Sequence, residues 1–331
     1  DALPDAKALD GMDGEARESA CLAASEAYEA YDALTEDQQS ALTGAEKMIA
    51  ILEWTTEQVA LAANEDLSSH THEGWTAINT ATELTGIDKA GNYYLTDNVT
   101  LTENEAWKPA DGVVLCLNGY SITGADGQEA IQVNSGVTFT LTDCHTGNEV
   151  GQITHKTDAS GCGVYVQYGT FNMYGGSITG NNVKNNSGGG VNLASSTVTV
   201  SGSANITGNV KGGSKSNGIY TGGTANNVGL KVDSSITIGD GLTGTARIGV
   251  ANEPTESNPV KIATGATGDL SVYKDIFTPD VSDKGYEITK DENNYLYLTA
   301  HQHRWTYALS TTTTTNDTIT ATCENCPMAT G

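Results

Sequence analysis

The middle of the chain alternates apolar and polar residues in short runs that are separated by Gly, Ser and Asn. This pattern occurs twice between positions 161 and 209, where Gly163 recurs as Gly190 and Ile178 recurs as Ile206 at almost the same offset. Alternation with a period of two is typical of β-strands, and the separating residues are typical of turns. One unit is too short to bury its own apolar residues, so the repeat predicts stacked strand units, a solenoid.

The alternation also assigns the faces of these strands. We expect one set of apolar residues to point inward in the first unit and an equivalent set to stack on it from the second. These residues are Val164, Val166, Phe171, Met173 and Ile178, followed by Val191, Leu193, Val198, Val200 and Ile206. Asn181 and Asn209 occupy equivalent turn positions, which predicts an internal ladder of hydrogen-bonded amides.

The repeat can be followed outward with decreasing fidelity, over residues 75–299. Upstream, residues 115–124 match residues 171–180 almost position for position. Downstream, residues 218–220 and 235–239 continue the pattern, and Val260 begins a weaker unit. The sequence therefore predicts a mainly β protein whose largest domain is a parallel β-solenoid.

Residues 1–70 have a helical period instead. Apolar residues three or four positions apart predict an amphipathic helix over residues 14–34. These apolar residues are Cys21, Ala24, Tyr28, Tyr31 and Leu34. A third helix is predicted over residues 45–63, after a short second one. Acidic residues dominate the remainder, so we expect residues 1–70 to form a small acidic α-helical spacer module in front of the β domain.

Net charge restricts the partners. The formal charge is −25, and Arg17, Arg247 and Arg304 are the three arginines. Nucleic acid is an unexpected partner, because binding to phosphates requires Lys and Arg. The chain has no apolar run long enough to cross a bilayer, which predicts no membrane span. We find no signal peptide or C-terminal sorting motif, and the ends resemble those of a fragment.

Catalytic chemistry has little support in the most regular repeats. Glycoside hydrolysis needs a pair of carboxylates, but the chain has no Asp or Glu between Asp158 and Asp233. The remaining acid/base candidates are Asp143 with His145 and Asp158 with His155. We therefore expect a protein that is not an enzyme, with a polysaccharide lyase or glycoside hydrolase as the open alternative.

A binding surface fits the same repeats better. Aromatic and amide side chains at outward positions suit contact with a sugar or a protein. The candidate binding residues are Tyr165, Gln167, Tyr174, Asn192 and Tyr220. Because these repeats carry lysine but no carboxylate, an acidic partner such as sialylated or sulfated mucin would also be favoured electrostatically.

The C-terminal segment at residues 300–331 contains the most specific spacing in the chain. Two histidines, His301 and His303, precede Cys323 and Cys326, and two alternating segments between these pairs predict a β-hairpin. Two imidazoles and two thiolates form a tetrahedral zinc set. The sequence thus predicts a structural zinc ion in a truncated hairpin module at residues 300–331. A Cys323–Cys326 disulfide and an unfolded tail are the alternatives.

A second pair of cysteines lies within the repeats. The separation of Cys116 and Cys144 along the chain is close to the repeat length. We expect them to be neighbours in adjacent units, either as a disulfide or as two buried thiols.

Three segments resemble known bacterial modules. Residues 161–181 resemble the repeats of right-handed parallel β-helices in surface proteins of Gram-positive gut bacteria. Residues 2–7 and 30–39 resemble a helical spacer of such proteins, and residues 301–326 resemble a small module that follows their β-helices. The resemblance implies a secreted or cell wall-attached, adhesin-like protein that binds a host glycan or glycoprotein. Immunoglobulin as the ligand, and a purely structural stalk or scaffold, stay open as alternatives.

Overall fold

A computed structural model describes most of the chain after residue 69 and scattered parts before it. The described residues are 3–5, 8–9, 20, 23–24, 27, 31, 34, 38–39, 45–51, 70–102, 106–184, 188–216, 219–231, 234–255, 257–265, 268–281, 285–300, 305–310 and 318–323.

The chain divides into two compact units, Asp1–Glu65 and Asp66–Gly331. In the first unit, residues 45–51 are helical. A small apolar cluster forms there from Leu9, Ala20, Ala24, Met48 and Ile51. Most of the helix predicted over residues 14–34 lies outside the described residues.

The second unit is built mainly from strands, with one short α-helix, Ala81–Thr85, among its described residues. The first half of its strands are β1 (Thr76–Ile78), β2 (Gly91–Leu95), β3 (Val99–Thr100), β4 (Val113–Cys116), β5 (Ser121–Gly124), β6 (Ile131–Val133), β7 (Thr138–Thr142), β8 (Gln152–His155), β9 (Val164–Gln167), β10 (Thr170–Met173), β11 (Ser177–Ile178), β12 (Asn182–Val183), β13 (Val191–Ala194) and β14 (Thr197–Val200). The second half are β15 (Asn205–Ile206), β16 (Val210–Lys211), β17 (Ser214–Ser216), β18 (Ile219–Thr221), β19 (Thr224–Ala225), β20 (Val228–Gly229), β21 (Ser235–Ile238), β22 (Arg247–Val250), β23 (Val260–Gly265), β24 (Phe277–Pro279), β25 (Glu287–Lys290), β26 (Leu296–Thr299), β27 (Trp305–Ser310) and β28 (Thr318–Cys323).

Two long sheets contain most of these strands. The first has the order β1-β2-β4-β7-β10-β14-β21-β23-β26-β25 and is parallel from β1 to β23. The second has the order β3-β5-β8-β11-β15-β22-β20-β13-β9-β6 and is parallel throughout. In the regular repeats each strand pairs with strands of the preceding and the following repeat, so strand pairing joins successive repeats along both sheets.

The second sheet consists of two stacks, one from β3 to β22 and one from β6 to β20, which meet where β20 pairs with β22. The chain visits the three stacks in a constant order. It passes through β9, β10 and β11 and then repeats the same path one strand further along, through β13, β14 and β15. The unit is therefore mainly β with long parallel sheets, an arrangement compatible with a solenoid.

The predicted core residues all lie inside this unit. Each of the ten apolar residues assigned to the inward face is fully buried. Their pairing is also as predicted, with Phe171 opposite Val198 and Ile178 opposite Ile206. The period-two reading of residues 163–206 is confirmed, because each apolar residue stacks on its equivalent in the neighbouring repeat.

The predicted amide ladder is confirmed and extends beyond the two residues assigned to it. Asn181 Nδ2 donates to Asn209 Oδ1 at 2.8 Å, and Asn209 Nδ2 donates to Asn227 Oδ1 at 2.9 Å. Asn227 Nδ2 then donates to Asp280 Oδ1 at 2.6 Å. At the other end, Asn181 Oδ1 lies 2.7 Å from His155 Nδ1. A row of buried and half-buried polar side chains thus runs along the repeats.

Two details of the predicted repeat were wrong. Leu115 lies opposite Leu141, which lies opposite Met173, so the 115–124 match is shifted by two positions in its first strand. Its second strand is correct, with Ile122 in line with Ile153 and Ile178. The turn from β4 to β5 is longer than the turn from β10 to β11, which absorbs the difference.

Ile219 and Tyr220, the described part of the predicted run at residues 218–220, also depart from the prediction. Strand β18 pairs antiparallel with β17. The strand that stacks on β13 in this part of the chain is β20. The parallel order ends at β23, because β26 pairs with it antiparallel. Val260 therefore begins the last parallel strand of the first sheet.

Candidate functional site

Four potential metal ligands meet where the first strands of the second unit end. His70 and His72 precede β1, Cys116 is the last residue of β4, and Cys144 closely follows β7. Strands β4 and β7 are parallel neighbours with Cys116 opposite Thr142, so the residues after them meet at the same edge. Pairing of the sheet therefore brings the two cysteines together, and the segment before β1 adds the histidines.

The four ligand atoms form a compact group. All of them lie within 4.8 Å of one another. The two Sγ atoms are 3.8 Å apart, and Cys144 Sγ is 3.9 Å from His72 Nε2. This Cys₂His₂ cluster could hold a metal ion. The two cysteines are neighbours, as predicted from their spacing, and both are free thiols.

Aromatic rings hold both imidazoles. The His70 ring stacks on Trp75 with centroids 4.5 Å apart, and the His72 ring stacks on Tyr94 at 4.2 Å. The Trp75 backbone N–H donates to the His72 carbonyl at 3.1 Å, which closes the turn between them. Stacking of this kind restricts ring rotation, so the imidazoles face the cysteines in defined orientations.

Asp143 connects the two turns that carry the cysteines. Its carboxylate is fully buried and accepts hydrogen bonds from the backbone N–H groups of Gly119, His145 and Gly151, at 3.1, 2.8 and 2.5 Å. The backbone N–H of Asn118 donates to Cys116 Sγ at 3.3 Å. Asp143 therefore has a structural role at this site, as an aspartate that bonds backbone groups of turns commonly does.

Burial makes the charged forms of Cys116, Cys144 and His72 unfavourable in the absence of a cation. It raises the pKa of both the Cys116 and Cys144 thiols. Burial lowers the pKa of His72, and the neighbouring His70 and His145 add to this effect. The cluster by itself thus favours neutral thiols and a neutral His72 imidazole, whereas a bound cation would stabilise the thiolates.

The metal set predicted at the other end of the chain stays a prediction. Strands β27 and β28 form an antiparallel pair with Trp305 opposite Cys323, as expected for a hairpin. His301, His303 and Cys326 lie outside the described residues, as does the side chain of Cys323.

Sequence reasoning missed His70 and His72, although a signal was present. The chain reads His-x-His-x-x-Trp at residues 70–75 and His-x-His-x-Trp at residues 301–305. A Cys-x-x-Cys pair follows the second copy, so the sequence predicts a metal site there. The cysteines beside the first copy, Cys116 and Cys144, are separated by a whole repeat, so only the fold brings them together.

The candidate binding residues occupy different places. Tyr165 lies opposite both Gln132 and Asn192 on three adjacent parallel strands. Gln167 lies on the same strand as Tyr165 and accepts a hydrogen bond from Gln132 Nε2 at 3.4 Å. Tyr165 and Gln167 are half-buried, so two of the five candidates share one partly exposed face.

The other candidates present less surface than expected. Tyr174 and Asn192 are only 8% and 7% exposed, although the sequence pattern placed both on an open surface. Burial raises the pKa of the Tyr174 hydroxyl. Tyr220 lies in β18, outside the stacks, and its side chain is outside the described residues. The turn residue Tyr168 is 59% exposed and lies next to Gln167.

The proposed acid/base pairs have structural contacts instead. Asp143 Oδ1 lies 3.7 Å from His145 Nδ1, but Asp143 is buried among the backbone groups that it binds. Both ring nitrogens of His155 are engaged, Nδ1 with Asn181 and Nε2 with the Gln128 carbonyl at 3.0 Å. His155 therefore terminates the amide ladder.

Comparison with known proteins adds no relative. No protein-family model, curated protein or solved structure matches this chain. Among the described residues, no helix is long and apolar enough to cross a membrane.

Proposed function

We propose that the second unit is a right-handed parallel β-helix that acts as an adhesin-like binding domain. Three stacks visited in constant order by parallel strands support this fold. Crossover connections between parallel strands are right-handed in about 98% of cases, which supports the handedness.

The observation that carries the binding function is the pairing of Gln132 with Tyr165 in register on adjacent strands, with Gln167 beside Tyr165, where all three side chains are half-buried. A phenol ring flanked by amides suits a pyranose, because the ring stacks on C–H groups while the amides bond hydroxyls. None of these three side chains is charged. We therefore propose a host glycan or the glycan of a glycoprotein as the ligand.

The sequence supports a proposal for the setting of the protein. We propose that it is secreted or attached to a bacterial cell wall of the Gram-positive type, on the resemblance of residues 161–181 to β-helix repeats of such surface proteins. The small module at residues 300–331 would add a structural zinc ion through His301, His303, Cys323 and Cys326.

A glycan and host-protein array tests this function. The full chain is compared with the Tyr165→Ala/Gln167→Ala variant, and Tyr297→Ala serves as the matched control because Tyr297 is a half-buried tyrosine on strand β26, outside the proposed binding face. We expect the double variant to lose at least about tenfold in affinity for a glycan, equivalent to about 1.4 kcal/mol, while the control binds normally.

Three results would contradict the proposal. Unchanged binding by the double variant would remove this face as the site. Binding to deglycosylated immunoglobulin or another bare protein would replace the ligand class. A wild-type chain that binds nothing on either array would favour a structural stalk or scaffold.

A further inference from the structure

We propose that His70, His72, Cys116 and Cys144 bind one Zn²⁺ ion. This site is separate from the predicted C-terminal set, and it does not depend on the glycan-binding function. It would join the segment before β1 to the ends of β4 and β7.

Two of the distances between ligand atoms are close to those of a tetrahedral zinc site. With Zn–S bonds of about 2.3 Å and Zn–N bonds of about 2.0–2.1 Å, the edges of the tetrahedron measure about 3.3–3.8 Å. The Sγ–Sγ distance of 3.8 Å matches such an edge, and the Cys144 Sγ to His72 Nε2 distance of 3.9 Å is close to one. A disulfide would require the sulfur atoms to lie about 2.05 Å apart.

The ligand types select the metal. Thiolate and imidazole ligands in a tetrahedral arrangement favour zinc over calcium or magnesium, which prefer oxygen ligands. The nearby carboxylate of Asp143 already accepts three backbone hydrogen bonds. Four protein ligands leave no open position, so the ion has a structural role.

The surroundings of the cluster are built to orient the ligands. Stacking on Trp75 and Tyr94 holds the two imidazole rings, and the Asn118 N–H donates to Cys116 Sγ. Asn118 and Gly119 have φ values of +50° and +77°, which turn the chain sharply after Cys116. Such outer contacts are the usual support of a metal site, because they fix ligand orientation before the ion binds.

His145 provides a stringent internal control. Its Nδ1 lies 3.5 Å from Cys144 Sγ, and the same nitrogen lies 3.7 Å from Asp143 Oδ1. We assign it no bond to the ion. The assignment therefore separates two neighbouring histidines, His72 and His145, that face the same sulfur atom.

Metal content of the full chain tests the proposal. All variants carry Cys323→Ser and Cys326→Ser, which removes the predicted C-terminal set, and bound zinc is measured by mass spectrometry after dialysis. We expect one zinc per chain in this background and none after Cys116→Ser/Cys144→Ser or His70→Asn/His72→Asn. His145→Asn and Cys162→Ser should both retain the ion.

A second measurement does not depend on how well the variants fold. Cobalt replaces zinc in the same background chain, and the absorption spectrum should show the intense bands of tetrahedral Co²⁺ together with thiolate charge transfer. A weak octahedral spectrum without charge transfer, or zinc that is retained without Cys116 and Cys144, would overturn the proposal. Loss of zinc in His145→Asn alone would overturn the ligand assignment.

Discussion

At the scale of single residues, the amide ladder ends in two ionisable groups. His155 lies at one end and Asp280 at the other, with Asn181, Asn209 and Asn227 between them. The Asp280 carboxylate also accepts the backbone N–H of Asn227 at 2.5 Å. Every amide in the row donates to the next oxygen, so the row has one direction and an acceptor must terminate it.

Stability should therefore depend on pH through Asp280. Burial raises the pKa of this carboxyl, although the hydrogen bonds from Asn227 oppose the effect. Folding thus favours the protonated form. The contribution of this protonated carboxyl to the free energy of unfolding is fully present below the ordinary Asp pKa of about 3.9 and is lost as pH rises through the folded-state pKa. It amounts to about 1.4 kcal/mol for each unit by which the folded and unfolded pKa values differ.

The Asp280→Asn variant isolates this contribution. An amide nitrogen cannot accept the Asn227 N–H, so we expect a loss of about 1 kcal/mol in the free energy of unfolding. As pH rises above about 4, the variant should gain stability relative to wild type. Urea unfolding at several pH values measures both curves, and parallel curves would show that Asp280 does not titrate as described.

The ladder shows how far single residues could be predicted. Asn181 and Asn209 were recognisable because they occupy the same position in two clear repeats. Asn227 and Asp280 were not, since they lie 18 and 53 residues beyond their ladder neighbours. Neither separation equals the 28 residues between Asn181 and Asn209, so spacing could not identify them.

At the scale of elements, close approach between neighbouring repeats requires glycine at particular corners. A Cβ atom at Gly163 would lie 2.5 Å from Ile178 Cγ2, 2.8 Å from the Gly190 carbonyl and 2.9 Å from Asn181 Nδ2. Ile178 lies in β11, the Gly190 carbonyl accepts a backbone hydrogen bond and Asn181 belongs to the amide ladder, so all three neighbours are held in place. The first glycine of the repeat is therefore needed for packing.

Gly163→Ala should destabilise the second unit by about 1–3 kcal/mol, because the added methyl group forces the stacked repeats apart. Gly244→Ala is the matched control, since a Cβ there would meet nothing within 4 Å. Urea unfolding compares the two variants with wild type. Equal stability of the two variants would mean that the repeats yield to the methyl group without cost.

Element boundaries were predictable where the repeat was regular. Strands β9 to β11 and β13 to β15 follow the predicted alternation, because their core residues recur at a nearly constant offset. The match at residues 115–124 slipped by two positions because sequence similarity aligned Leu115 with Phe171, whereas a longer turn places it in line with Met173. Residues 219–221 alternate like a stacked strand, but their partner is the neighbouring β17.

At the scale of the whole molecule, the mainly β character of the second unit could be predicted and the His/Cys cluster could not. Its ligands come from positions 70, 72, 116 and 144, and no short motif joins them. The spacing of Cys116 and Cys144 predicted that they are neighbours. Only strand pairing could show that the segment before β1 brings two histidines to the same edge.

The proposed zinc ion at these four residues can be tested directly by crystallography. Diffraction from crystals of the full chain, measured on both sides of the zinc absorption edge, locates zinc without any substitution. We predict an anomalous peak enclosed by His70, His72, Cys116 and Cys144, at about 2.3 Å from each sulfur. A map without a peak there, or with Cys116 and Cys144 joined in a disulfide, would contradict the presence of a zinc site.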